Sequence, residues 1–201
     1  MNVRTAIDVS GLEVEKFGSA DTLWWGNLGL IVVESTSFAL LIASYFFFRM
    51  RYTQWPPDDA GVPWFTFGLP NLILIVAICL PMSRVNKNAP NASQPWLTKM
   101  LAVSAVLMAG TVALRVFEFQ TLHTGYSEHS YGSITWALLF MHGIELGFGV
   151  GDTAVLAVYS ATRELDRKHR ADIQTVCTFW NFLAISWVVI FAVVYLGGRM
   201  L

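Results

Sequence analysis

Six residues of this chain have types and settings that could do chemistry: Glu34, Arg115, Glu118, His142, Glu145 and Asp152. Each lies inside an otherwise apolar run. Ionisable groups are costly in hydrocarbon, and there they face other helices or water. Arg115 and Glu118 are three residues apart. His142, Glu145, Gly149 and Asp152 follow at steps of three, four and three. Each set therefore shares one helical face. Arg115 is expected to neutralise a buried carboxylate, either Glu118 or Glu145, and Asp152 is a further candidate for a buried ion pair. Glu34, Glu118, His142 and Glu145 are candidates for a proton path or a lipid cleft, since intramembrane carboxylates serve such paths. The plainer alternative is that these groups are satisfied interhelical pairs that hold a bundle together.

Metal chemistry is poorly served. Bundle di-iron sites repeat a Glu-x-x-His pair on two helices. Here one helix carries a single pair in reversed order, His142-x-x-Glu145. A haem needs axial ligands from its pocket, and of the four histidines only His142 lies deep in an apolar run. No metal ligands and no bound redox cofactor are therefore expected on this chain.

The elements that must position these residues are membrane helices. The chain has 201 residues, 55% hydrophobic and 13% charged, with a mean hydropathy of +0.52. A soluble domain carries about 25% charged residues, and about 20 apolar residues cross a bilayer core. The pattern predicts one all-α, polytopic helical bundle. A polar segment, 1–22, is expected in the cytoplasm, with no removable signal peptide. A transmembrane domain over 23–201 follows, with helices at about 23–48, 64–82, 97–121, 131–162 and 171–196. Small residues on the third helix, and Gly143, Gly147, Gly149 and Gly151 on the fourth, predict close-packing faces. The eight tryptophans are read as interface anchors and packing residues. Cys79 and Cys177 sit in or beside apolar runs and read as buried thiols.

Charge sets the expected orientation. Arg4, Lys16, Arg84, Lys87, Lys99, Arg163, Arg167, Lys168 and Arg170 fall on one side, and Arg49, Arg51 and Arg199 on the other. The positive-inside rule puts the N-terminus inside and the C-terminus outside. A net charge of −1 gives no argument for nucleic-acid binding.

A series of short motifs then carries a resemblance. Trp55-Pro56-Pro57 comes after a helix with Glu34 at its middle. Glu118-Phe119, Tyr131-Gly132-Ser133 and His142-Gly143 come next. Trp180-Asn181-Phe182 with Trp187 closes the series. Over about residues 23–196 the chain resembles subunit III of the haem-copper respiratory oxidases, in a short five-helix form lacking the first two of seven helices. It departs from that pattern at Glu145, Asn181 and Ala184, which replace His, His and Asp. Phe119 replaces Tyr, and Arg115 is an extra charge. The resemblance implies a non-catalytic integral subunit of a bacterial-type inner membrane. It would contact oxidase subunit I chiefly, with subunit II and a small subunit IV. Haem and copper would lie in those partners, with bound phospholipid on this chain. Glu34 and Glu118 match the family's intramembrane glutamates, and His142 its helix-borne histidine. The implied role is to stabilise the catalytic subunit, hold lipid and support proton uptake. The electron donor, cytochrome c or quinol, stays open. So do a nitric-oxide-reductase-type complex and a small proton-coupled transporter, although no internal repeat is visible.

Overall fold

The computed structural model describes residues 22–57 and 60–200. The N-terminal segment 1–21, Asp58, Asp59 and Leu201 lie outside the described residues. Among those described, every regular element is a helix. It has α1 (Thr22–Arg49), α2 (Phe65–Asn88), α3 (Gln94–Gln120), α4 (Ser130–Thr162) and α5 (Arg167–Phe191). A π-helical turn (Ala192–Leu196) and a last short turn, α6 (Gly197–Met200), continue α5. Five of these helical segments, the fifth running from α5 through the π turn to Arg199, are long and apolar enough to cross a membrane.

Helices α2, α3, α4 and α5 form a four-helix bundle, with α3 packed on α2 and α4, and α5 packed on α2 and α4. The core is theirs: Ile75, Ile78 and Met82 of α2 meet Leu101 and Met108 of α3, Leu138 and Leu146 of α4, and Trp180, Leu183 and Trp187 of α5. Helix α1 lies outside this bundle against α4 and α5. It buries only Phe38 and Tyr45 fully, while Val32, Val33 and Leu40 stay exposed. In lipid an exposed apolar face is expected, because association there rests on packing and polar contacts rather than on water exclusion.

The helix ends are set by local chemistry. Helix α2 runs past Pro81 to Asn88, beyond the expected 82. A proline removes one helical hydrogen bond, which a membrane helix tolerates among packed neighbours, and Met82 and Val85 beyond it are fully buried. Pro95 opens α3 at a position where its missing N–H costs nothing. His129 caps α4, its Nδ1 accepting from the Gly132 N–H at 3.0 Å. Asp166 caps α5, its Oδ1 accepting from the His169 N–H at 2.9 Å. That bond holds the exposed Asp166 carboxyl below the usual carboxylate range.

The α2–α3 and α4–α5 loops, the two basic loops by virtue of Arg84, Lys87, Lys99, Arg163, Arg167, Lys168 and Arg170 in or beside them, meet at one end of the bundle. Arg170 Nη1 donates to the carbonyls of Ala89 and Ala92. Gln94 Nε2 donates to the Ser160 and Arg163 carbonyls, and its Oε1 accepts from the Leu165 N–H. The start of α1 is tied to the same end, with Asn27 Nδ2 donating to the Thr175 carbonyl at 3.3 Å. At the opposite end, Trp55 stands edge-on to both Tyr45 and Tyr131. The Trp-Pro-Pro loop thereby closes over the ends of α1 and α4.

The glycine face of α4 is used selectively. A methyl at Gly143 would press on Arg115 and one at Gly149 on Leu183 and Trp180, whereas Gly147 and Gly151 face open space. The expected continuous packing stripe is thus limited to the two glycines turned toward the bundle. Cys79 is half-buried and Cys177 buried, and both are free thiols.

Candidate functional site

Helix periodicity brings Arg115 and Glu118 onto the buried side of α3, 2% and 1% exposed. Arg115 Nη1 donates to Glu118 Oε2 at 2.7 Å. Its Nη2 lies 3.1 Å from His142 Nδ1. A guanidinium can only donate, so Nδ1 is the accepting nitrogen and the ring proton sits on Nε2. That proton is donated to the Leu183 carbonyl at 3.0 Å. His142, fully buried, is therefore held as one neutral tautomer with both nitrogens engaged. The guanidinium carbon also stands 3.6 Å from the Trp187 ring centroid, a cation–π contact, and His142 stacks on the same ring.

The second oxygen of Glu118 accepts from the Tyr195 hydroxyl. Tyr195 belongs to the π turn, whose wider winding rotates the helical register of the residues after it. Its ring lies over Gly68 of α2, where a methyl would overlap it. The network therefore spans α3, α4 and α5 and fills a niche on α2. Hydrogen bonds to charged groups are worth more than neutral ones, and more again away from water. Together these contacts make the network a strut through the bundle, with no open coordination position on His142.

The remaining acidic candidates lie elsewhere. Glu34 of α1 and Glu145 and Asp152 of α4 line a groove of about 470 Å³ between α1, α4 and α5. Glu145 is buried, Glu34 half-buried and Asp152 exposed. The described bonds of Arg115 go to Glu118 and His142, and none reaches Glu145 or Asp152. Among the described residues there is no group of three or more His, Cys, Asp or Glu side chains placed to hold a metal ion.

Sequence spacing groups His142 with Glu145 and does not find Tyr195. A three-residue step turns a helix by about 300°, so such neighbours flank a common line rather than coincide. On α4 that line is the boundary between bundle core and groove. Tyr195 is 77 residues from Glu118, and the π turn that delivers it has no hydropathy signal.

No protein-family model matches the chain. It is 28% identical over 181 residues to the cytochrome bo3 ubiquinol oxidase subunit 3 of Pseudomonas aeruginosa, covering 85% of this chain and 82% of the relative. It is 24% identical over 174 residues to cytochrome c oxidase subunit 3 of Bacillus sp. strain PS3, and 25% over 171 residues to that of Bacillus subtilis. In both cases 83% of this chain and 82% of the relative are covered. Five membrane-length helices and these relatives make the chain an integral membrane protein homologous to the oxidase subunit III family.

Proposed function

We propose that this chain is the non-catalytic subunit III of a haem-copper terminal oxidase of a bacterial inner membrane. It stabilises the catalytic subunit, holds phospholipid and supports proton uptake. The observation that carries the reading is the match to subunit III proteins over most of both chains. In this reading subunit I is the main contact, with subunit II and a small subunit IV as further partners, and the haems and copper are theirs. The commitment of both His142 nitrogens supports that division, because a metal would need one of those lone pairs. The exposed apolar faces of α1 and α4, with Val32, Val33 and Leu40 on one and Val155 and Val158 on the other, suit acyl chains. Glu34, halfway along α1, is the carboxyl we assign to proton supply.

A tagged copy purified in mild detergent is expected to bring with it a haem- and copper-containing oxidase. The chain expressed alone is expected to show no visible haem or copper absorption. Stoichiometric iron or copper in the isolated chain would overturn the non-catalytic assignment. A tagged copy that retrieves no haem protein would overturn the oxidase assignment.

The same reading includes an N-terminus inside and a C-terminus outside. Its support is the gathering of both basic loops at one end of the bundle. A cysteine placed at Tyr52 is expected to react with a membrane-impermeant maleimide in intact cells. One placed at Lys168 is expected to react only after permeabilisation. The reverse pattern refutes the topology. Asp59 and Leu201, also expected outside, lie beyond the described residues.

A further inference from the structure

Glu145 of α4 and Glu34 of α1 meet across the groove between their helices. Glu145 is 5% exposed, and a side-chain hydrogen bond joins it to Glu34. No other donor among the described residues reaches either of its oxygens. An ionised carboxylate only accepts hydrogen bonds. A bond between two carboxyls therefore needs a proton on one of them.

The surroundings offer no substitute for that proton. Asp152 of α4 lines the same groove, and α5 contributes Thr175, Val176 and Phe179. Asp172 of α5 lies with Asp152 along a second hollow toward the start of α1. No Lys, Arg or His among the described residues lines either space. His142, one turn along α4, has both nitrogens engaged, and Arg115 is bonded to Glu118 and His142. Two carboxyls that share such a site cannot both ionise at low cost.

Helix α1 is lightly anchored, with only Phe38 and Tyr45 fully buried. Near its start Asn27 reaches the Thr175 carbonyl, and near its end Tyr45 packs on Trp55. Glu34 lies between these ties, where the groove opens. In lipid, polar contacts between helices supply attachment that apolar burial does not. We propose that Glu34 and Glu145 bind one proton between them, and that this proton clamps α1 to the bundle. While it is bound, the O–H of one carboxyl donates to the other. When a base such as hydroxide takes it through the groove mouth, two carboxylates face each other. The bond is then lost, and repulsion pushes the middle of α1 away from α4. The inference goes beyond the oxidase reading and does not rest on it.

The test uses the tagged full-length chain, purified in mild detergent with the partners it brings and returned to lipid. Cys79 and Cys177 are changed to Ala. Spin labels are attached through Val33→Cys on α1 and Val158→Cys on α4, both exposed positions. The distance between the labels is followed from neutral to alkaline pH. A single distance is expected at neutral pH, lengthening as pH rises. Through the transition the ratio of docked to loosened α1 should fall about tenfold per pH unit, the slope of one proton. Glu34→Gln and Glu145→Gln each leave an amide beside the remaining carboxyl. An amide donates to a carboxylate and accepts from a carboxylic acid, so each variant should keep the neutral distance at every pH. The two changes together should add nothing further. Either single variant gives this reading if the other fails to accumulate. A wild-type distance that does not move with pH overturns the proposal. A transition that survives in the double variant overturns it too, and assigns the titration to another group. Single variants that each remove half of the transition also overturn it, because the two carboxyls would then titrate independently.

Discussion

Arg115→Leu is expected to destabilise the assembled chain by about 3–5 kcal/mol, the usual cost of leaving one member of a buried ion pair alone. The substitution removes the partner of Glu118, the donor to His142 Nδ1 and the cation over Trp187 at once. Glu118 keeps the Tyr195 hydroxyl, so the loss is not the complete isolation of a charge. His142 loses its donor but is neutral, and its bond to the Leu183 carbonyl survives. Most of the cost therefore sits on Glu118. Adding Glu118→Leu to Arg115→Leu should recover part of it, because paired removal of buried charges is often close to neutral. Adding Glu145→Gln should recover none, since Glu145 faces the groove. Thermal midpoints of the purified protein and the fraction assembled in membranes measure both cycles. Strict additivity of the Arg115 and Glu118 changes would show that the pair is not energetically coupled. Coupling to Glu145 instead would relocate the partner.

The same residues show how much a sequence can reveal. Long apolar runs and their punctuation are enough to read five helices, because bilayer thickness fixes the length of any span. The i, i+3 spacing puts Arg115 and Glu118 on one face, and local geometry of that kind needs no tertiary information. Three things lie out of reach. Helix α1 packs on α4 and α5 but leaves a groove, and hydropathy does not report which apolar face meets protein and which meets lipid. Spacing groups Glu145 with His142, although the boundary between core and groove runs between them on α4. Tyr195 enters through a π turn, a change of register set by packing against Gly68 and Glu118 rather than by any local propensity. The Trp-Pro-Pro motif shows the opposite case. In the sequence it stands out through resemblance alone, and its structural content is Trp55 wedged between Tyr45 and Tyr131.

Removing this subunit from its complex is expected to leave the haem spectrum and much of the initial oxygen-reduction rate intact, while proton uptake slows and activity decays sooner during turnover. The expectation comes from where the chain's ionisable groups are. The strut of Arg115, Glu118, His142 and Tyr195 is closed, with its main polar atoms paired, so it offers no surface for electron chemistry. Glu34 is different. Counting 12 residues from Thr22 at 1.5 Å each, it stands about 18 Å into α1, half-buried on the wall of an open groove. A carboxyl in that position can exchange a proton with a neighbouring subunit without altering the metal centres. It is also open to a hydrophobic carbodiimide, so Glu34→Gln should remove the label that maps to position 34 and reproduce the slower proton uptake. A purely scaffolding chain predicts otherwise: the stripped complex would fall apart, or Glu34→Gln would behave as wild type. Activity followed against time, with and without the subunit and with Glu34→Gln restored into it, separates these cases. A stripped complex that keeps both its rate and its turnover lifetime would refute the supporting role, because the groove and its carboxyl would then act on nothing the oxidase needs.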